Sequence, residues 1–382
     1  MQEGPTRVTF TYDNNGNTTI EQRGSSAIRT VYAYNRRNEM TSIKDQEGRT
    51  TTYSYLSTGP VESRIFPSGD RTTSTYDALD RLATVAYADG TRVTYQYDVL
   101  SNLTTMSDST GTTTYAYDAI SRLTGKTDPG PLVQGYSYDL ANQRTNLTDP
   151  DGLVRTYTYD DDSRNVALFT SSGLSLTNQY DKLGRVTTTS YASTANTARQ
   201  TTYDALGQTL SIVDSTADGT LARWTFSYDA VGNRTSVLDS NGATTTYSYD
   251  AKSRLTADHT TGTNAHSYTY TYDSVDNRIS DTEAGTTRTW TYSLSGRITT
   301  MLQGTTLSTY TYDTDGSLTE VRESGSTVTM SYDKERRLVK HNDGSTVATY
   351  TYSGDGLKRS EILATGRTTL VWDGTDYLQG RL

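Results

Sequence analysis

The chain has 382 residues and a formal net charge of −9, from 35 basic and 44 acidic residues, and 32% of it is hydrophobic, a low share for a globular domain. The acidic balance argues against a nucleic-acid partner, whose binding rests on Lys and Arg contacts to phosphate, and the lack of Cys excludes a disulfide framework and thiolate chemistry. No run approaches the ~18 apolar residues of a membrane span. The 31 Tyr, against 4 Phe and 3 Trp, point to strands rather than disorder: tyrosine is a strong strand former whose ring packs on neighbours while its hydroxyl reaches a polar partner or water.

Residues 1–9 form a short lead with neither the basic n-region nor the apolar h-region of a secretory signal, so none is expected in this chain. Phe10-Thr11-Tyr12-Asp13 opens a repeat expected to occupy residues 10–382 as a single array of about 17–18 units. Its second tyrosine, used here as the index, recurs at Tyr12, Tyr34, Tyr55, Tyr76, Tyr97 and Tyr117 and continues to Tyr352 in steps of mostly 20 or 21 residues, with Trp372 as an altered instance. The unit is clearest over residues 241–255, NGATTTYSYDAKSRL. Thr245, Tyr247 and Tyr249 alternate, which places them on one face of a strand. Asn241-Gly242 predicts a type I′ hairpin turn with φ > 0 at both residues. Gly stands seven residues before the index tyrosine at Gly48, Gly69, Gly90, Gly152 and Gly242, with Asn196 before Tyr203. Four residues after it stand Gly16, Gly184 and Gly232, or else Asn38, Asp80 and Ser121. Gly and, after it, Asn tolerate left-handed backbone best, and two fixed turn positions per period predict a pair of short antiparallel strands per unit.

Residues 56–70 read as the first irregularity, because Pro60 and Pro67 lack the ladder N–H and belong on an edge or bulge. Residues 76–180 are the most regular section. Residues 190–200 and 213–221, rich in Ser, Thr, Ala and Asp, are expected to protrude as loops. From Tyr272 onward the step is a steady 20 residues.

The tandem Y-x-Y-D-x-x-G-R-L units joined by D-G or N-G turns resemble the Rhs/YD-repeat family, which includes polymorphic toxins, shell subunits of insecticidal toxin complexes, wall-associated proteins and the teneurins. The resemblance implies an all-β fold, tandem antiparallel hairpins forming a curved or spiralling ribbon, and a hollow shell that often encloses a toxic C-terminal segment. It also implies secretion or display at the cell surface. Family toxins follow the repeats with a self-cleaving core and a variable toxin, and neither is recognisable here. Asp149-Pro150-Asp151-Gly152-Leu153 superficially matches the D-P-x-G-L of that core, but Gly152 holds the ordinary hairpin position before Tyr159 and is read as a turn.

No catalytic, cofactor-binding or metal-binding residue is assigned. Asp77, Asp98, Asp118 and Asp139 could form a ladder of acid/base carboxylates, yet their place in the repeat suits carboxylates that accept backbone N–H bonds within their own turns. Arg81, Arg122, Arg164, Arg185, Arg254 and Arg297 lie across the same turns and can offset that charge. Asp313-Thr314-Asp315-Gly316 and Asp160-Asp161-Asp162 lack the terminal Glu and spacing of a calcium loop. His259, His266 and His341 lie in polar segments without a recognisable nucleophile, and are read as surface residues. The tyrosine doublets suit packing between rungs better than stacking on sugars; for sugars, Tyr191 is a better candidate than Tyr117.

The expected function is a non-enzymatic shell segment of a larger secreted toxin-type or surface protein. Its expected partners are an encapsulated polypeptide, or the remaining parts of that protein, and further copies met through open sheet edges. The alternative is an extracellular adhesion or carbohydrate-binding module with a glycan partner. Seventeen units of two strands at ~4.8 Å spacing give a ribbon roughly 160 Å long, which closes in one turn at a radius of about 26 Å or in two at about 13 Å. Either would be an open hoop or short spiral that seals nothing by itself.

Overall fold

The structure is a computed structural model that describes residues 7–24, 28–192 and 196–381. It is all-β, with 36 strands from β1 (Val8–Tyr12) to β36 (Asp376–Arg381) in one sheet. Each strand pairs antiparallel with its immediate neighbours in the chain. Among the described residues nothing pairs β36 back to β1, so the sheet is open.

Side chains alternate as the pattern requires. In the strand His266–Tyr272, His266, Tyr268, Tyr270 and Tyr272 are half-buried, while Ser267, Thr269 and Thr271 are exposed. Each unit also bends at a fixed point. Gln96 faces Thr105 but Tyr97 faces Leu103, so Thr104 is an extra residue in the ladder. The same shift precedes Tyr12, Tyr117, Tyr249 and Tyr352. A bulge bends its strand and raises the local twist, and one bulge per unit at the same edge curls the ribbon.

The ribbon has two turn edges, one formed by the Asp turns after the index tyrosines and the other by the turns that carry the upstream glycines. The curl brings these edges together in a spiral. The glycine-edge turn at Asp45–Arg49, between strands 4 and 5, meets the Asp-edge turn at Ser293–Arg297, between strands 27 and 28. The turn at Asp108, between strands 10 and 11, meets that at Ser353–Leu357, between strands 33 and 34. One winding therefore advances 23 strands, and residues 293–381 lie edge to edge on residues 44–155. At ~4.8 Å per strand this is about 110 Å of circumference, a radius of about 18 Å. That value falls between the one-turn and two-turn expectations, because contact between the two edges fixes the winding, not ribbon length.

Left-handed backbone stands at the turn glycines, with φ of +83° at Gly48, +84° at Gly90 and +82° at Gly152, and also at the non-glycine turn residues Asp80 (+56°) and Ser121 (+65°). Three expectations need correction. The Asn241-Gly242 turn is not type I′. Only Gly242 has positive φ (+80°), and Asp239 Oδ1 accepts the N–H groups of Asn241 and Ala243, building a longer turn around a carboxylate. Consecutive positive φ values occur instead at Ala284-Gly285 and Ser324-Gly325. The stretches 190–200 and 213–221 are not protruding loops: they extend the strands Val186–Ala192, Thr197–Tyr203, Thr209–Thr216 and Gly219–Tyr228, whose Thr and Ser are good strand residues. Residues 193–195 lie outside the described residues. Finally, 56–70 is an ordinary unit: Pro60 and Pro67 sit in turns at opposite edges, flanking the regular strand Val61–Ile65.

Candidate functional site: stapled rungs and a sealed seam

The wall is held together by a set of contacts that recurs along the ribbon. Asp118 Oδ1 accepts the N–H of Ile120 (3.0 Å) and of Arg122 (2.9 Å), and its Oδ2 accepts Arg122 Nε at 2.7 Å. The Arg122 backbone N–H and guanidinium together hold the Asp118 carboxyl below its ordinary value. Arg122 then reaches the next unit, donating Nη1 to Asp139 O at 2.8 Å and lying 4.9 Å over the Tyr138 ring. Tyr138 answers by donating its hydroxyl to Leu123 O at 2.9 Å. From Tyr55 to Tyr352 every index tyrosine makes this bond to the preceding unit, for example Tyr97 to Leu82 O and Tyr249 to Arg234 O. Trp372, standing in for tyrosine, donates Nε1 to Lys358 O at 2.7 Å. The Asp ladder is thus occupied by its own turns, and the index-tyrosine hydroxyls by adjacent rungs.

The other candidates resolve similarly. Asp160 binds the N–H groups of Asp162 and Arg164 and the Arg164 guanidinium. Asp149 Oδ1 accepts the N–H groups of Asp151 and Leu153, as a turn residue would. His259 is exposed, but His266 and His341 are half-buried on strands rather than free at the surface. His266 Nε2 lies 3.1 Å from Thr260 Oγ1 and 3.2 Å from Asp258 Oδ2, while Nδ1 faces Asn264 O. One nitrogen cannot both accept a proton from Thr260 and donate to Asp258, so this is not the nucleophile–base–orienter order of an acyl-transfer site.

The seam between windings is a second constellation, and sequence periodicity gave no sign of it. Glu47 accepts the Ser295 hydroxyl at 2.6 Å and pairs with Arg297. Burial raises the Glu47 carboxyl, but the Ser293 and Ser295 hydroxyls and the Arg49 charge outweigh it and hold the group below its ordinary value. Arg64 pairs with Glu335 at 2.8 Å and Lys334 with Asp70 at 2.9 Å. Farther along, Gly354 N–H donates to Asp108 Oδ2 at 2.7 Å, Arg144 pairs with Asp373 at 2.6 Å and Arg381 with Asp151 at 2.9 Å.

At its centre the seam is fully buried. Arg359 of the later winding contacts Asp128 at 3.2 Å and Thr113 Oγ1 at 3.0 Å, and Lys126 pairs with Asp128 at 3.0 Å. Gly354 lies so close over Val93 that a Cβ there would collide with it and would also crowd Met106. Tyr95, beneath this contact, donates its hydroxyl to Gly354 O, and burial pushes its phenol up to about 12. The spacing of Asp and Arg was legible in the sequence; which rungs meet across 23 strands depends on curvature accumulated over the whole ribbon.

Rungs that lock a curving sheet and edges that seal one winding to the next define a YD-type β-shell wall. The teneurin YD-shell model matches residues 2–172 and 284–362, and the chain belongs to that family; the RHS repeat model matches residues 203–244 and 228–266. Among solved structures the fold is similar to the crystal structure of TcdB2-TccC3-TEV, at 15% identity and a TM-score of 0.71, covering 98% of this chain and 27% of that one. It is also similar to TcdB2-TccC3 without its hypervariable C-terminal region, at 15% identity and a TM-score of 0.69, with the same coverage. This chain therefore spans about a quarter of the length of those chains. Comparison with curated protein sequences finds no match.

Proposed function

We propose that this chain is a non-enzymatic structural wall, part of a larger secreted toxin-type or cell-surface protein in which it encloses or presents a C-terminal polypeptide. The supporting observation is the seam: edge-to-edge contact between windings turns a ribbon into a wall with an inside. The outermost strand β1, with Phe10 and Tyr12 exposed and no partner on its outer side among the described residues, offers a sheet edge to which further strands of such a protein, or another copy, would add. The carbohydrate-binding alternative has less support, because the index-tyrosine hydroxyls are occupied by neighbouring rungs and the exposed tyrosines, such as Tyr191 and Tyr377, are scattered. The test is to fuse a small folded reporter after Leu382 and follow its proteolysis. Shielding by this segment predicts slower digestion than for the free reporter, restored to the free rate by Arg359→Ala; equal rates with the intact wall would refute any part for this segment in enclosure.

A further inference from the structure

The turns that follow Tyr76 to Tyr228 form the free edge of the first winding. At the third position after the index tyrosine, six of them carry Leu79, Leu100, Ile120, Leu183, Leu206 and Val231, each 61–83% exposed. Leu140, one position earlier in its own turn, is fully exposed. The turn itself does not need these side chains. Its shape is set by the Asp carboxylate and the left-handed residue, as at Asp118 and Ser121. In the later winding the same position holds Ser295, Asp315 and Glu335, which reach across the seam to Glu47, to the Ser68 N–H at 2.8 Å and to Arg64. At this position six of the eight free turns from Tyr76 to Tyr228 are aliphatic, the turns of the free edge outside that run carrying Asn15, Arg37, Thr58 and Lys252, whereas in the later winding four of five are polar, with Val275 the exception. A further winding of the same ribbon would offer this edge a glycine edge like that of Glu47, Ser68 and Asp108, which is a polar match for a polar row. It matches the aliphatic row less well, although the glycine edge also presents Ile28 and Phe66.

We propose that the aliphatic edge is a contact surface for a second copy of the chain, the two spirals meeting edge to edge about a twofold axis perpendicular to the spiral axis. The rim of a spiral is a ramp. A perpendicular twofold carries a helical ramp onto itself, so an identical copy meets it along its whole length, whereas a flat-faced partner touches it only locally. With the axis between Leu140 and Asp160, turns related by symmetry pair apolar with apolar: Leu79 with Val231, Leu100 with Leu206, and Ile120 with Leu183 of the second copy. Period matches as well, since units recur every two strands, or ~9.6 Å, on both copies. At roughly 60–120 Å² of apolar area per side chain, the six paired residues supply about 360–720 Å² per copy, approaching the ~800 Å² per partner of a standard interface. Pairing needs only the spiral, so a failed enclosure test leaves it standing.

The test is sedimentation of the full chain between about 1 and about 100 μM, the range where interfaces of this size are populated. A dimer is expected, and the double variant Leu100→Asp/Leu206→Asp should be monomeric with an unchanged melting curve, because both residues are exposed turn tips. The chain has no Cys, which allows a sharper reading. Leu100→Cys mixed with Leu206→Cys should be joined by a short bismaleimide, whereas Leu100→Cys alone should not. A monomer across the whole range, a dimer that survives the double Asp variant, or a dimer lost only with Phe10→Asp on the outer strand would each overturn the proposal.

Discussion

Residues 156–272 and the overlapped parts of the ribbon are built from the same unit but end in different environments. In the single-layer stretch the rungs are stapled only to their neighbours, and side chains stay half-buried; Ala167, Ala243 and Thr260 are among the few below a tenth exposed. Where windings meet, Met106, Leu147, Val371, Thr113, Gln134 and Ser360 are at most 1% exposed. A repeat array ordinarily has stability that sums over units and nearest-neighbour interfaces. Here the most deeply buried contacts join units 23 strands apart, so additivity should hold in the single layer and fail across the seam.

The largest effect that would test this contrast is expected at Arg359. Arg359→Ala removes one cation from Asp128 and the nearest guanidinium from Asp108, 3.9 Å away. Breaking one side of a buried pair typically costs about 3–5 kcal/mol, and because Lys126 remains on Asp128 the lower end is expected. Arg164→Ala, in the single layer, breaks a rung pair with Asp160 that is partly solvated, and should cost about 0–1 kcal/mol. Urea unfolding of the two variants should therefore differ clearly; similar losses would mean that the seam adds no stability.

Next come two glycines with different reasons to be glycine. Gly242 has φ of +80° with open space around its Cβ position, so Gly242→Val strains only its own turn, by about 1–3 kcal/mol. Gly354 is limited by Val93 and Met106 of the other winding, so Gly354→Ala overpacks the seam, also by about 1–3 kcal/mol. Small-angle scattering separates them: Gly354→Ala should enlarge the particle and Gly242→Val should leave its dimensions unchanged. Expansion in both or in neither would remove the distinction.

The same contrast explains what could be read from the sequence. The left-handed residues, the alternation of Thr245, Tyr247 and Tyr249, and the role of Asp118 in its own turn all follow from contacts within one unit or between adjacent ones, which periodicity encodes. The Asn241-Gly242 turn was misread because Asp239, two residues upstream, supplies acceptors that redirect the backbone. Arg359, Lys126 and Asp128 carried no signal at all. Each looks like any other charged strand residue, and only the accumulated bend places them together. Polar residues at the third turn position, Ser295, Asp315 and Glu335 against Leu79, Leu100 and Ile120, were a visible clue whose meaning needed the spiral.

A smaller effect is expected where the two regions should behave alike. Tyr138→Phe beside the seam and Tyr249→Phe in the single layer each remove one hydroxyl-to-carbonyl bond, to Leu123 and to Arg234. Each should cost about 0.5–1.5 kcal/mol. Equal losses would show that the rung staple is a property of the unit; a much larger loss at Tyr138 would show that the seam depends on it.

The smallest expected effect per group, and the one that acts on the seam without a mutation, is titration. Glu47 is held below its ordinary value, near 4.3 for a free glutamate, in the folded chain. Its contribution is therefore present above that ordinary value and is lost as pH falls through the lower folded value. Tyr95 is shifted the other way, to about 12, so its contribution is complete below the ordinary tyrosine value near 10 and is lost between there and about 12. The seam should thus be tightest across the neutral range and loosen at both extremes. In the single layer Asp160 and Asp181 are also lowered, but their loss frays a turn rather than separating windings. Each partly exposed seam pair is worth at most about 1 kcal/mol and is screened by salt, whereas the Arg359 cluster is buried and is screened much less. Acidification at high salt should accordingly raise the radius of gyration in a first step while the β-sheet circular dichroism persists, with Arg359 acting as the remaining pin. In Arg359→Ala that first step should move to higher pH. A single transition in which size and sheet signal change together, in both proteins, would mean that the seam is not a separable element and that the two regions unfold as one.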